Sequence, residues 1–314
     1  MTGEFERIRR IVEVLGAQAY GIGDDCAVLA PGPGQLVAST DASVGGIHFR
    51  LDWIGHREAG WRAAAAALSD LAAEGAAPAA LLAAVGVPAS ASDAELVAVM
   101  QGVGDAASSA GAVVAGGDLT GGPTWSVTIT VLGWAERPVT RAGARPGDGL
   151  WVTGRLGAAR AALAAWRHGD QPAAEAREAF AHPVPRIEAG QWLAAHAAGA
   201  MIDLSDGLGG DARHLAESSG VAIDIELGRV PRSPACDEEA RRLGVPPEQF
   251  AAEGGEDYEL LATLPPEFGA DDAASFAREC RLALTRVGTV RYGQGVRASL
   301  AGRPLSLAGY EHFR

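Results

Sequence analysis

At four places in this chain an apolar run abuts a glycine-rich loop that carries carboxylates. They are residues 21–30 with Asp24 and Asp25, 111–123 with Asp118, 200–211 with Asp203, Asp206 and Asp211, and 254–261 with Glu256, Asp257 and Glu259. Short apolar runs punctuated by glycine read as strands. The alanine-rich segments between them, such as 62–68, read as packed helices because alanine is the best helix former. Strands alternating with such helices confine the chain to an α/β or α+β architecture. An amphipathic helix carries Phe5, Ile8, Ile11, Val12 and Leu15; further helices are expected at 56–74, 94–110, 157–166 and 211–219, and strands at 150–153 and 260–264. At 314 residues the chain exceeds one small domain and suits two. Residues 136–149, with Arg137-Pro138 and Pro146-Gly147-Asp148-Gly149, read as the boundary loop, so domains of 1–138 and 139–314 are expected.

Charge narrows the function. The chain has 39 acidic and 26 basic residues, a net −13, which argues against a nucleic-acid groove or an anionic membrane surface. No apolar run reaches the ~18 residues of a membrane span, and MTGEFERIRR lacks the apolar core of a signal peptide. The cysteines Cys26, Cys236 and Cys280 are far apart, so a cytoplasmic protein without disulfides is expected. All the basic residues are arginine, and there is no lysine. That excludes a Walker-A loop, a protein-kinase strand lysine and any Schiff base. A phosphate bound here must be neutralised by metal ions, arginine or backbone N–H groups.

The acidic loops suggest which. Pro31-Gly32-Pro33-Gly34 between apolar runs reads as a hairpin turn. If Ala30 faces Gln35, then Asp24 lies opposite Asp41, Asp25 opposite Thr40 and Cys26 opposite Ser39, each pair ~5 Å apart. Like charges at that spacing call for a cation, and hard divalent ions take the oxygens that Asp24, Ser39, Thr40 and Asp41 offer; the alternative is acids that merely end strands. In Gly116-Gly117-Asp118 a strand is expected to end where glycines admit a close ligand, unless the loop is a plain turn. Asp203, Ser205, Asp206 and Asp211 exceed what capping the next helix requires. The acids at 256–259 read as solvated strand-end residues. Asp70, near the end of a helix, is wrongly placed for the helix dipole and is either exposed or holding a cation. His48 has no metal-spacing partner, and Arg141 sits in the boundary loop.

The strings GIGDDCAVL, STDASVGGIHF, LSDLAAEGA, GGDLTGG, TRAGARPGD, DLSDGL, GGEDYELL and GYEHF, in that order over essentially the whole chain, resemble the thiamine-monophosphate kinase family of the PurM/AIR-synthetase-like superfamily. The resemblance implies a two-domain PurM-like fold, α/β then α+β, whose N-terminal domains pair into a β-barrel in a homodimer. It implies transfer of the γ-phosphoryl of ATP to thiamine monophosphate. Several Mg²⁺ ions would be held at Asp24, Ser39, Thr40, Asp41, Asp70, Asp118, Asp203 and Asp206, with Asp118 and Asp206 acting catalytically through them. Gly117, Asp118, Arg141 and Ser205 match nucleotide contacts; His48, Glu256 and Tyr310 match contacts to the thiamine phosphate. Leu119 and Gly121 stand where many relatives carry threonine and a larger polar residue, and Met100 at an often aromatic position near the adenine.

Such a site suits a lysine-free chain, because acids can hold cations that bridge two anions. The attacking phosphate oxygen is already ionised near neutral pH, so no general base is expected. Competing readings are another ATP-dependent synthetase of the superfamily, a metal-dependent phosphatase and a non-catalytic nucleotide sensor. Residues 1–20 lack the cysteine of selenophosphate synthesis, and the end GYEHFR lacks that of a carbamoyl dehydratase. Tyr310→Ala is expected to raise KM for thiamine monophosphate more than for ATP, because an aromatic face can stack on a thiazolium ring; equal rises in steady-state assays would remove that role.

Overall fold

The computed structural model describes residues 4–22, 26, 27 and 29–307; the expectations for Asp24, Asp25 and Tyr310 lie outside the described residues. The chain divides into two compact units, Met1–Leu71 with Ala76–Glu136, and Ala72–Gly75 with Arg137–Arg314.

The first unit runs α1 (Glu4–Leu15), β1 (Gln35–Val44), α2 (His56–Ala73), β2 (Ala77–Pro88), α3 (Asp93–Ser109), β3 (Val113–Gly122) and β4 (Ser126–Ala135). Ile11 and Leu15 of α1 are buried, as its helical period requires. The alanines of α2 from Ala63 to Ala67 are buried all round, which is why the helix needs no polar face there. α3 starts on a capping box: Ser92 Oγ accepts the Glu95 N–H, and Glu95 Oε2 accepts the Ser92 N–H at 2.7 Å. The two helices cross backbone to backbone. A Cβ on Gly60 would overlap the Val99 carbonyl oxygen, and one on Gly102 the Arg57 carbonyl oxygen.

The sheet order is β1-β4-β2-β3, antiparallel except for the parallel β2–β3 pair. Rows Ser39–Val131–Leu81 and Asp41–Ile129–Ala83 lie on one face. That face is covered: Val127, Ile129 and Val131 are buried, and Leu71 of α2 lies 3.1 Å from where a Gly133 Cβ would be. The alternate residues Leu36, Ala38, Thr40 and Ala42 are exposed.

Two expectations are corrected here. β1 pairs with β4, Asp41 facing Ile129 and Thr40 facing Thr130, and described residues 26, 27, 29 and 30 form no strand. The expected hairpin, with Cys26 opposite Ser39, is therefore not formed. Pro31 and Pro33 cannot donate to a ladder, whereas β4 offers ten aligned residues with an apolar face to bury. β3 also does not end at its glycines; it continues through Asp118 to Gly122 along β2.

The second unit runs β5 (Gly149–Thr153), α4 (Ala158–Arg167), α5 (Ala174–Ala181), α6 (Ile187–Ala195), β6 (Ala200–Asp203), α7 (Leu208–Ser219), β7 (Ala222–Glu226), α8 (Pro234–Leu243), α9 (Pro247–Ala252), β8 (Leu260–Leu264), α10 (Ala270–Cys280), β9 (Leu284–Arg291), β10 (Gly295–Leu300) and β11 (Arg303–Leu305). Its seven-stranded sheet has the order β11-β10-β7-β9-β5-β8-β6. Trp192 of α6 and Phe276 of α10 join Trp151, Met201 and Leu260 in one buried cluster. α7 packs against β7 and β10, where Ile223, Ile225 and Ala298 are buried. Alternate residues Asp224 and Arg297 turn to the opposite face.

Gly102→Val is expected to lower stability by about 1–3 kcal/mol, the usual cost of overpacking, read as a lower urea midpoint. An unchanged midpoint would mean that α2 and α3 do not approach so closely.

Candidate functional site

Each unit holds its own set of crowded acids. In the first, strand alternation turns Ser39 and Asp41 of β1 toward the helices, where α2 presents Asp70. Ser39 Oγ donates to Asp70 Oδ2 at 2.5 Å. Burial, and then the Asp70 charge, push the Asp41 carboxyl up to about 6.

Thr40, one residue away, lies on the other face, its Oγ1 2.9 Å from Thr130 Oγ1 and 3.3 Å from the Ile129 carbonyl. Asp118 is exposed and shares a row with Ala84 and Thr128 on that same outer face. It lies on the far edge strand, three ladder spacings or ~14 Å from β1. The structure therefore brings Ser39, Asp41 and Asp70 together and does not bring Thr40 or Asp118 beside them. Gly117 is required by a close approach: a Cβ there would overlap the Ala83 carbonyl oxygen, beside a bulge at Ala115. His48 stands in the turn after β1, where its Nδ1 accepts the Val44 N–H at 3.0 Å; the neutral ring then carries its proton on Nε2. Met100 is buried in α3.

In the second unit, Asp203 ends β6 and is buried, while Ser205 and Asp206 are partly buried in the turn to α7. Asp211, in the first turn of α7, accepts the Asp206 N–H at 3.2 Å. It is 1% exposed, and burial, then Asp203, then Asp206 push it up to about 8. Three backbone bonds fasten this turn to the segment 256–259. Glu256 N–H donates to the Ser205 carbonyl at 2.8 Å, Tyr258 N–H to the Leu204 carbonyl at 2.9 Å, and Leu204 N–H to the Glu259 carbonyl at 2.8 Å. The segment accepts positive φ at Glu256 (72°) and Tyr258 (50°) to do so, and the Tyr258 hydroxyl donates to Glu256 Oε2 at 3.2 Å.

The acids at 256–259 correct the expectation of solvated strand-end residues. Asp257 is partly buried and accepts the Gly157 N–H on both oxygens, at 2.9 and 3.0 Å, and burial raises its pKa well above the usual carboxylate range. Glu259 is 3% exposed and accepts from Thr153 Oγ1 at 2.6 Å and from Arg186 at 2.6 and 3.1 Å. A buried carboxylate held this way is structural. The available signal was that Glu259 adjoins Leu260–Leu264, a strand buried at every position. Nothing in the sequence marks Arg186 as its partner. Arg141 is exposed, and its carbonyl accepts from Ser219 Oγ at 3.0 Å.

These donor sets fit a hard divalent cation: carboxylate and hydroxyl oxygens set close together, with Asp41 and Asp211 pushed up by burial and by neighbouring acids, and no lysine in the chain. Among the described residues no group of three or more His, Cys, Asp or Glu side chains is spaced to hold a metal ion by itself.

Residues 23–135 match the family described as AIR synthase related protein, N-terminal domain, and residues 145–300 its C-terminal domain. The thiamine-monophosphate kinase of Mycobacterium tuberculosis (strain H37Rv) is 39% identical over 266 residues, covering 83% of this chain and 80% of the relative. The chain belongs to the thiamine-monophosphate kinase family. Among solved structures, thiamine-monophosphate kinase from Stenotrophomonas maltophilia K279a aligns with a TM-score of 0.84 at 33% identity, over 94% of this chain and 97% of that one. The complex of AaThiL with AMPPCP and TMP aligns at 0.81 and 31%, over 99% and 97%. The family fold, two domains of mixed α/β content, is therefore that of this chain.

Asp41 yields a signed pH dependence. Its folded pKa lies above the unfolded 3.8, so protonation favours folding, and the contribution is lost as pH rises from about 4 through about 6. Asp41→Asn is expected to stabilise the cation-free protein above pH 7, by at most about 3 kcal/mol, and to give no gain at pH 4. Urea titrations in EDTA check this; a loss of stability above pH 7 would make Asp41 a structural residue.

Proposed function

We propose that this chain transfers the γ-phosphoryl group of ATP directly to the phosphate of thiamine monophosphate, giving ADP and thiamine diphosphate, with several Mg²⁺ ions as cofactor. The observation that carries the reading is the crowding of Asp41 with Asp70, and of Asp211 with Asp203 and Asp206, in a lysine-free chain of this family. The AaThiL relative, complexed with AMPPCP and TMP, supports the choice of substrates.

Bound Mg²⁺ would supply charge neutralisation between two anions and at the phosphoryl group in transit. Asp24, Ser39, Thr40, Asp41, Asp70, Asp118, Asp203 and Asp206 are proposed to hold it. Gly117 supplies backbone without a side chain, so a nucleotide phosphate can come close to Asp118; Arg141 and Ser205 are the other proposed nucleotide contacts. His48, whose Nδ1 accepts the Val44 N–H, is a proposed contact to the substrate phosphate. Glu256 and Tyr310 are its proposed partners in holding thiamine monophosphate. The acceptor oxygen is ionised at neutral pH, so no residue need abstract a proton, and no phosphoenzyme is formed.

We place the protein in the cytoplasm, and as a homodimer through the outer face of the first sheet. That face exposes Leu36 (55%) and the threonines Thr40 and Thr130 side by side. Among the described residues no helix is long and apolar enough to cross a membrane.

With Mg-ATP and thiamine monophosphate, ADP and thiamine diphosphate are expected in equal amounts, and unphosphorylated thiamine should yield neither. Asp118→Asn and Asp206→Asn should each lower kcat roughly 10²-fold or more, as loss of transition-state electrostatics does, with thermal midpoints kept. Free phosphate in place of thiamine diphosphate would indicate a phosphatase, and phosphate left covalently on the protein would rule out direct transfer.

A further inference from the structure

The second sheet holds a cavity of about 900 Å³ on the face opposite α7, walled by β7, β9, β10 and β11. Thr289, Asp224 and Arg297 form one row across it, with Arg291 and Glu226 in flanking rows of the same face. Arg229, after β7, and Arg286 of β9 complete its charged wall.

The charges do not balance. Asp224 accepts from Arg297 at 2.8 Å and from Arg291 at 3.3 Å, and Glu226 pairs with Arg229 at 3.3 Å. Four guanidinium groups thus face two carboxylates. Arg286 reaches only the Gly288 carbonyl and Thr289 Oγ1, each at 3.4 Å, and meets no carboxylate among the described residues. In a chain of net charge −13, this is a local positive excess inside a concavity, the arrangement that concentrates anions. Thr289 and Ser299 add hydroxyl donors to the lining.

The cavity is also remote from the acidic loops. β6, which carries Asp203, is the opposite edge of the sheet, separated from β7 by β8, β5 and β9, or ~19 Å at the usual strand spacing. None of Asp203, Ser205, Asp206 or Glu256 lines it.

We infer that this cavity is a second ligand site, binding a small phosphoryl anion directly through arginine, with Arg286 as its principal contact. A guanidinium fork matches phosphate oxygens two at a time, so this site needs no cation, whereas a cluster of bare carboxylates repels the same anion. The inference uses none of the acidic-loop residues, and only the turnover arm of its test rests on the reaction proposed above.

The two sites therefore separate in EDTA. Pyrophosphate titrated calorimetrically into the full chain in EDTA at low ionic strength is expected to bind at one site. Arg286→Gln should weaken binding at least ten-fold. So should Ser299→Glu, which keeps every arginine and adds a carboxylate to the wall. Both variants should keep wild-type turnover of Mg-ATP. On the wild-type chain, pyrophosphate should slow hydrogen exchange in β9 and β10 and not at residues 203–211. No binding in EDTA, binding that both variants retain, protection at 203–211 instead, or turnover lost in step with pyrophosphate affinity would each overturn the inference.

Discussion

Carboxylates placed against one another repel, and a fold that keeps them there must hold them by other means. Asp41 stands beside Asp70, and Asp211 beside Asp203 and Asp206; burial, and then those neighbouring charges, push the Asp41 and Asp211 carboxyls up. The chain has no lysine to relieve either set. Where it does relieve a buried acid, it uses arginine, as Arg186 does for Glu259. The contrast separates an acid paired with arginine from acids set beside other acids, and a cation is drawn to the second arrangement more than to the first.

Backbone geometry is what holds the crowded acids. In the first unit, β1 is kept in place by a ten-residue ladder to β4, so the faces of Ser39, Thr40 and Asp41 follow from strand alternation alone. In the second, three backbone hydrogen bonds fasten the turn at 204–205 to the segment 256–259, continuing the β6–β8 ladder where side chains would repel. The positive φ values at Glu256 and Tyr258 are the conformational cost of that join.

Much of this was legible in the sequence. The strand at 260–264 forms with those bounds, and the helix expected at 94–110 forms as Asp93–Ser109, because a capping box and a buried stripe are local signals. The Pro-Gly turn signal at 31–34 does not predict the pairing of β1, because it says nothing about a better partner ninety residues on, and strand pairing is decided by what gets buried. Which acids meet was only half legible. Ser39 and Asp41 share a face by period, but their meeting with Asp70 depends on where α2 crosses the sheet. Gly60 and Gly102 set how closely α2 approaches α3 on that side of the sheet. The pairing of Glu259 with Arg186 spans 73 residues and leaves no local mark.

Asp211 has a consequence of its own. A carboxyl pushed up to about 8 by burial and by Asp203 and Asp206 is mostly in its acid form at physiological pH, so the turn carries one negative charge fewer than its sequence counts. A carboxyl that keeps its proton can donate as well as accept, a capacity its ionised neighbours lack.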